Sequence, residues 1–318
     1  MDNDKSFEEH LERLDDSEKI YHYTSANALK NIIIDNELWV THGNFLNDYS
    51  EVTYIYKIIL KVCQDIMKNN NDAMKLYKMI MKKHKEDHDW FSQLFILSFS
   101  TNSDSLTLWS EFSNFYGYNL EFNIGDIRSK LDLEIIKYEC FIVDGKVIYD
   151  EKRQIEILKN DFNLNWDALV NENNGLPTIN NMFRIKCKEY EEAIDNFVMY
   201  IATELLLYAP YFKSEKFKEE QEYRFCFYYD EKDKSKYKTK RERHPAYSDN
   251  IEFRERSGSI IPYIKVNLKH DGINIPINRI MIGAKNNTDT SLTGTEFFLM
   301  KNGYENTVVV RSEITLRY

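Results

Sequence analysis

A short segment near the start of the chain, YHYTS at 21–25, combines residue types that bind sugars and anions. A strand over 19–24 is predicted to end here, and Ser25 can cap the helix that follows. Alternate residues of a strand share a face, so His22 and Thr24 project together and can hydrogen-bond a sugar hydroxyl or an amide. The helix N-terminus favours an anion such as a phosphate. The alternative interpretation is a structural histidine beside an ordinary helix cap.

A second group with chemical potential is the acidic run just before a strong predicted strand over 222–229. A carboxylate at this position lies at the edge of a cleft, where it can stabilise a cationic sugar transition state or orient a nucleophile. The candidates are Glu220 and Glu222, and the sequence leaves the choice between them open. The alternative is a surface cluster of salt bridges.

Two arginines can supply the positive charge that a pyrophosphate needs. Arg224 follows Glu222 at a spacing of two, so both side chains point to one face of the strand. Arg254 stands in a segment that is predicted to return beside that strand. A guanidinium grips a phosphate in two places, which makes an arginine fork a substitute for a phosphate-binding loop. Alternatively, Arg224 forms a structural ion pair with Glu222 or Glu220.

Two further segments carry polar and aromatic candidates for a binding site. Ser98 and Ser100 share one face of a short buried strand and can line the floor of a pocket. Trp109 can stack on an aromatic ring of a ligand or serve in core packing. Asn47 and Asp48 fit an Asx-type turn followed by a helix cap. Alternatively, they belong to the binding site, where Asn47 can brace the segment 21–25.

Several familiar nucleotide and metal motifs are excluded. The glycines are thinly spread, and the closest two are Gly117 and Gly125, so neither the Rossmann fingerprint nor a P-loop can form. His84 and His88 have metal-compatible spacing, but they stand among charged residues without an evident third ligand. We therefore expect no metal, and a bound nucleotide must be held by other means.

Charge and hydropathy restrict the partners and the compartment. The net charge of −10 opposes non-specific binding to nucleic acid. No apolar run approaches the roughly 20 residues that cross a bilayer. The first residues are acidic and polar, unlike a signal peptide. These features predict a cytoplasmic protein that does not enter a membrane.

The predicted architecture is α+β, with a central mixed, mostly antiparallel sheet and large helical insertions. Residues 1–18 are expected to form a polar arm, and residues 19–318 a single domain. Helical segments are predicted at about 52–87 and 151–208. The predicted strands include 19–24, 94–100, 118–122, 222–229, 259–266 and 277–283, together with a hairpin over 139–150 that has Asp144-Gly145 at its turn.

The order of these segments resembles a bacterial family known as domain of unknown function 2971. The resemblance spans most of the chain, and no single piece of it is decisive. Its elements here are YHYTS (21–25), FLND (45–48), SFSTNSDSLTLWSEFS (98–113), EQEYRF (220–225), FRERSGSIIPYI (253–264), INRIMIG (277–283) and SEITLR (312–317).

The start of the chain and its late glutamate are also similar to the ADP-ribosyltransferase-like fold. In that fold an early strand contacts the nicotinamide ribose, a middle strand offers Ser or Tyr, and a late strand carries the catalytic Glu. The resemblance implies roles for residues of this chain: His22 toward the ribose, Ser98 or Ser100 on the middle strand, Glu222 as the catalytic carboxylate, and Tyr23 or Trp109 stacked on nicotinamide.

The resemblance leads to two hypotheses of function. In the first, the protein uses NAD as a substrate for ADP-ribosyl transfer or NAD hydrolysis, in phage defence or as a toxin, with a protein or a nucleic acid as the acceptor. In the second, the same pocket is a non-catalytic sensor that binds a nucleotide or a small signal and acts through a protein partner.

Overall fold

The computed structural model of the protein describes residues 7–46, 53–86, 94–138, 140–172, 176–184, 188–229, 251–256, 258–269 and 272–316. Contacts between Cα positions divide the chain into two compact units. The helical unit comprises Met1–Glu12, Leu46–Ser92 and Val147–Lys216, and the sheet unit comprises Arg13–Phe45, Gln93–Lys146 and Phe217–Tyr318. The predicted division into a polar arm and a single domain stays a prediction.

Helices and strands are interspersed along the chain. The helices are α1 (Phe7–His10), α2 (Ala26–Asp35), α3 (Ile55–Ile66), α4 (Asn70–Glu86), α5 (Leu106–Ser113), α6 (Ile124–Tyr138), α7 (Glu151–Glu172), α8 (Lys188–Tyr208) and α9 (Asp289–Lys301). The strands are β1 (Lys19–Thr24), β2 (Glu37–His42), β3 (Leu94–Ser100), β4 (Tyr118–Asn123), β5 (Cys140–Lys146), β6 (Glu222–Tyr229), β7 (Ile251–Arg256), β8 (Ser259–Asn267), β9 (Arg279–Ile282) and β10 (Val308–Arg311).

Aromatic side chains occupy the centre of the helical unit. Phe162 and Trp166 of α7 each meet Phe197 of α8 edge to face, with ring centroids 5.3 and 5.4 Å apart. All three side chains are fully buried, and edge-to-face contact is a favoured geometry for aromatic pairs. The neighbouring Asp161 accepts a hydrogen bond of 2.6 Å from the hydroxyl of Tyr208. The pairing of α7 with α8 thus joins apolar packing to a satisfied buried carboxylate.

The sheet unit is built on one ten-stranded sheet. Its main path runs β10-β9-β4-β1-β3-β2-β8-β7, while β6 pairs with both β3 and β5. The strand pairs are antiparallel, except that β10 runs parallel to β9. The predicted α+β class with a mixed, mostly antiparallel sheet is therefore confirmed.

The two faces of this sheet differ in chemistry because alternate residues of each strand point to opposite sides. We call one side the apolar face; α2, α6 and α9 contribute side chains to its core, and its strand residues include Ile20, Val40, Leu97, Phe122, Phe225 and Ile280. We call the other side the polar face; its residues include Ser98, Ser100, Glu121, Glu222 and Arg224. The predicted site residues on these strands therefore divide between the two faces.

A close backbone approach near β1 makes Gly117 sensitive to substitution. A Cβ at this position would lie 2.2 Å from the carbonyl oxygen of Thr24 and 2.2 Å from the Cβ of Ser113. Both distances are shorter than atoms tolerate, so Gly117→Ala should lower the free energy of unfolding by about 3 kcal/mol in urea titrations. Gly294 in α9 is the control, because a Cβ there meets no atom within 4 Å. Gly294→Ala should stabilise by about 0.5–1 kcal/mol. Equal effects of the two substitutions would contradict the close approach.

The predicted hairpin around Asp144-Gly145 is wrong. Asp144 and Gly145 continue β5 as one extended strand, opposite residues 225 and 224 of β6. Asp144 is buried and accepts hydrogen bonds from Arg13, Arg128 and the hydroxyl of Tyr223. These donors satisfy a carboxylate that a turn would have left in solvent, which explains why the Asp-Gly pair does not reverse the chain here.

Candidate functional site

Two strands share one edge of β3 and leave a gap between them. On this edge β1 pairs with β3 at Ser100, and β2 pairs with β3 at Phe95 and Ile96. The opposite edge of β3 is paired with β6 along its full length. Within the described part of the sheet, residues 97–99 therefore have no strand partner on the first edge. We call this gap the strand split, because backbone groups that line it are open to side chains and ligands.

His22 reaches into the strand split from β1. Its Nδ1 lies 3.2 Å from the carbonyl oxygen of Ser98, and its ring meets Phe99 edge to face with 5.6 Å between centroids. Burial lowers the pKa of His22 below 6.5, the hydrogen bond to Ser98 opposes this shift, and the positive charge of Arg254 adds to it. The imidazole is therefore neutral at pH 7. Since a carbonyl can only accept, the proton sits on Nδ1 and Nε2 is an acceptor.

Acid should destabilise the protein through His22. The pKa is lowered in the folded state, so the unfolded chain binds this proton first, and stability is fully present above about pH 6.5. As the pH falls below that value, up to about 1.4 kcal/mol should be lost per pH unit until the folded-state pKa is reached. His22→Gln should flatten the pH dependence of the unfolding free energy between about pH 5 and 7. The other histidines are present in both proteins, so identical slopes would contradict this account.

The sheet register separates the predicted site residues into two groups. His22 and Thr24 stand opposite Leu120 and Tyr118 of β4 and belong to the apolar face, where Thr24 is buried. The polar face carries the other group in two facing pairs: Ser98 with Arg224, and Ser100 with Glu222. The structure thus brings the two serines, the glutamate and one arginine together. His22 lies on the other side of the sheet. Its contact with this group is the hydrogen bond between its imidazole and the backbone carbonyl of Ser98.

Glu222 and Arg224 form a buried ion pair at the start of β6. Arg224 donates from Nε to one carboxylate oxygen and from Nη2 to the other, each at 2.8 Å. Glu222 is 8% exposed and Arg224 is 2% exposed, so this pair is held away from water. The bidentate geometry fixes the orientation of the carboxylate. This contact is the structural ion pair that the sequence offered as one interpretation of Arg224.

Hydrogen bonds from the end of β3 hold the turn that immediately precedes Glu222. The Ser100 hydroxyl donates to the carbonyl oxygen of Glu220 at 2.7 Å. The backbone N–H of Thr101 donates to the carbonyl oxygen of Gln221 at 2.9 Å. Gln221 has a φ of 45°, a left-handed conformation that costs a non-glycine residue on the order of 1 kcal/mol. Glu220 lies in the 3₁₀ turn, whereas Glu222 is the first residue of the strand. Strain of this kind is often retained where a side chain must be positioned for function.

The segment that ends in this ion pair is also the one that matches a known family. Residues 108–225 match the family described as protein of unknown function (DUF2971). The resemblance to domain of unknown function 2971 is thereby confirmed over these residues. The matched segment begins within α5 and ends in β6, so it includes Trp109, Glu222 and Arg224, while His22 and Arg254 lie outside it.

Searches among curated proteins and among solved structures found no match to the chain. The family description names no activity.

Tyr23 and Trp109 pack against each other on the polar face beside α5. Their ring centroids are 4.9 Å apart in an edge-to-face contact. The Tyr23 hydroxyl donates to the carbonyl oxygen of Asn102 at 2.8 Å and accepts from the N–H of Ser105 at 2.9 Å. Trp109 is fully buried and donates from Nε1 to Asp104 at 2.6 Å. Trp109 is therefore a core residue. Stacking of Tyr23 or Trp109 on nicotinamide stays a prediction.

Arg254 lies on the β2 side of the strand split. Its strand, β7, pairs with β8, whereas β6 pairs with β3 and β5, so the prediction that this segment returns beside the Glu222 strand is wrong. Its Nη2 donates to the hydroxyl of Thr41 at 2.8 Å. Its guanidinium carbon lies 5.6 Å from the ring centroids of both Trp39 and Tyr263. Burial lowers the pKa of Arg254, and the charge of Arg256 lowers it further. A guanidinium remains charged under these conditions, so Arg254 places a cation close to the split.

Three residues beside Arg254 were not identified from the sequence, namely Trp39, Thr41 and Tyr263. Trp39 and Thr41 share a face of β2, and Tyr263 stands opposite Thr41 on β8. The alternation of residues along β2 could have placed Trp39 with Thr41. The pairing of β2 with β8 joins parts of the chain that are more than two hundred residues apart, and no local pattern reports it.

The remaining predictions concern Asn47 and Asp48, metal ligands and membrane-spanning helices. The predicted site residues Asn47 and Asp48 lie outside the described residues. Among the residues that the structure does describe, no three His, Cys, Asp or Glu side chains form a group that could hold a metal ion. The described helices include none that is long and apolar enough to cross a membrane.

Proposed function

We propose that the protein is an NAD-using enzyme that transfers ADP-ribose to a macromolecule or to water. The observation that carries the proposal is the buried Glu222 carboxylate, oriented by Arg224 and facing Ser100 on the strand that borders the strand split. A carboxylate fixed away from water stabilises positive charge on a sugar ring far better than a mobile, solvated one. Glu222 is therefore the residue to which we assign the chemical step.

The order of strands supports the same assignment. The early strand β1, the middle strand β3 and the late strand β6 lie side by side, because β3 pairs with β1 on one edge and with β6 on the other. These are the strands to which the resemblance assigns the ribose contact, the serine and the catalytic glutamate. We propose on this basis that the sheet unit has an ADP-ribosyltransferase-like fold.

The proposed reaction breaks the bond between C1″ of the nicotinamide ribose and the pyridinium nitrogen. The electron pair of that bond passes to the ring, which leaves as neutral nicotinamide. The ribose gains oxocarbenium character, which the negative charge of Glu222 stabilises. A hydroxyl or amine of the acceptor, or a water molecule, then adds to C1″ and releases its proton to solvent. Positioning of the two reactants contributes the rest of the acceleration.

The neutral His22 imidazole suits a supporting role in this reaction. With Nδ1 donating to the Ser98 carbonyl, Nε2 can accept a hydrogen bond from a ribose hydroxyl in the strand split. We propose that His22 binds the ribose without taking part in proton transfer.

The second candidate function is a non-catalytic nucleotide sensor, and one observation favours it. Both oxygens of the Glu222 carboxylate accept hydrogen bonds from Arg224, so the guanidinium holds the whole carboxylate. A sensor would use this pair as part of its framework. An enzyme would expose one oxygen lone pair to the substrate while Arg224 holds the other oxygen.

One experiment distinguishes the two functions. NAD is titrated into the protein in a calorimeter, and free nicotinamide in the same sample is then quantified by chromatography. The enzyme hypothesis predicts binding accompanied by nicotinamide release that grows with time and with protein concentration. Binding with NAD recovered intact in the presence of protein and nucleic-acid acceptors supports the sensor. If NAD neither binds nor decays, both functions are wrong for this ligand.

A further inference from the structure

The cluster around Arg254 has the composition of an anion-binding site. Trp39 and Tyr263 stack on each other with centroids 4.5 Å apart, and the guanidinium of Arg254 lies over both rings. Its hydrogen bond to Thr41 holds the end of the side chain on the β2 side of the strand split. Contacts of a guanidinium with aromatic rings within about 6 Å are favourable and orient the charged plane. The cluster therefore presents a cation in a defined position.

The charge of Arg254 is not balanced by an acid in the described part of the chain. Its Nε is buried and has no hydrogen-bond acceptor among the described residues. The ionisable groups that act on it are Arg256, which is also positive, and Tyr263, whose hydroxyl stays protonated because its pKa is raised to about 12. Glu252 stands two residues away on the same face of β7, but its carboxylate accepts from Lys265 at 2.9 Å and from the Tyr263 hydroxyl at 3.0 Å. A buried donor without a partner is costly, and an anionic ligand would remove that cost.

We propose that Arg254, Thr41 and Trp39 form the subsite for the phosphoryl groups of an adenine nucleotide that carries a pyrophosphate. The Nε and Nη2 edge of a guanidinium matches two oxygens of a phosphoryl group, and a small turn of the side chain away from the rings offers this edge to a ligand. Trp39 is half-buried, so part of its ring remains available to stack on a base. The identification of the ligand as a pyrophosphate nucleotide rests on the proposed function.

The position of this subsite relative to Glu222 fits one extended ligand. Thr41 stands opposite Ile96 of β3, and Glu222 stands opposite Ser100, four residues further along the same strand. Four residues of a strand span about 13 Å along β3, and Thr41 and Glu222 lie on strands that flank β3 on opposite edges, about 10 Å apart across the sheet. The charge of Arg254 is also near enough to lower the pKa of His22. A dinucleotide can thus contact Arg254 with its phosphates and Glu222 with a ribose.

The test is calorimetric titration with ADP-ribose, which has the pyrophosphate but no nicotinamide to release, and with adenosine, which has no phosphate. Arg254→Met should weaken ADP-ribose binding at least tenfold and leave adenosine binding within threefold. Arg254→Lys keeps the charge but loses the fork, so its affinity should fall between those of the parent and the Met variant. Arg256→Met is the matched control, because it removes an exposed cation from the same face of β7, and it should stay within threefold.

The outcomes separate this subsite from the proposed activity. Loss of ADP-ribose binding in Arg254→Met, with an unchanged melting temperature and a parent-like Arg256→Met, supports the subsite even if the parent protein leaves NAD intact. That combination would reject only the catalytic proposal. Parent-like binding of ADP-ribose by Arg254→Met overturns the subsite, whatever the turnover of NAD. An equal loss in Arg254→Met and Arg256→Met overturns it too, because the effect would then be general electrostatics.

Discussion

Glu222→Gln is expected to lower nicotinamide release from NAD by at least two orders of magnitude. The substitution keeps the size of the side chain and one acceptor for Arg224, but it removes the negative charge that stabilises the ribosyl cation. Preorganised electrostatic groups of this kind typically contribute about 10²–10³ in rate. NAD binding, measured by calorimetry, should change little because the charge acts mainly in the transition state.

The matched control for this variant is Glu219→Gln. Glu219 stands three residues earlier, is exposed, and loses the same charge on substitution. It should retain parent-like nicotinamide release. A parent-like rate in Glu222→Gln, or an equal loss of rate in both variants, would remove Glu222 from the chemical step.

Arg224→Met should cause the largest loss of stability among the substitutions considered for the sheet unit. It leaves the Glu222 carboxylate buried without the guanidinium that now donates to both oxygens. Removal of one partner from a buried ion pair typically costs about 3–5 kcal/mol, because the remaining buried charge loses the attraction that offset its desolvation. Urea unfolding of the variant, followed by circular dichroism, measures this loss.

A double substitution tests whether the loss comes from the charge that Glu222 keeps when Arg224 is replaced. Glu222→Gln combined with Arg224→Met removes both charges, so it should be more stable than Arg224→Met alone by about 1–3 kcal/mol. Additive effects of the two single substitutions would mean that the ion pair contributes no coupling. The account of Glu222 as a carboxylate held in place by Arg224 would then fail.

Local patterns in the sequence predicted β1, β3 and β6, three of the strands around the site. The strand-forming side chains of Ile20, Tyr21 and Tyr23 predicted β1 with its bounds, and Ser25 caps α2 by accepting from the N–H of Ala28. The spacing of two between Glu222 and Arg224 predicted a shared face, and the ion pair is one of the two interpretations that followed. These features depend on neighbouring residues alone, which is why a single sequence reveals them.

Features that depend on distant pairing could not be predicted in the same way. The strand split exists because β1 and β2 take different parts of one edge of β3, and nothing local in these strands specifies that arrangement. The Asp144-Gly145 pair has the composition of a tight turn, but donors from elsewhere in the sheet unit hold it in a strand. The register that turns His22 away from the face of Glu222 likewise follows from pairing with β3, where Tyr21 and not His22 stands opposite Ser100, the partner of Glu222.

The most direct test of the central claim is a crystal structure of the Glu222→Gln variant soaked with NAD, since slow turnover in this variant preserves the substrate. The account predicts that C1″ of the nicotinamide ribose lies within about 4 Å of the residue 222 carboxamide, the range of a reactive complex. It also predicts that the pyrophosphate lies toward Arg254. NAD bound elsewhere on the chain, or bound with its nicotinamide ribose remote from residue 222, would contradict the assignment of Glu222 as the catalytic carboxylate.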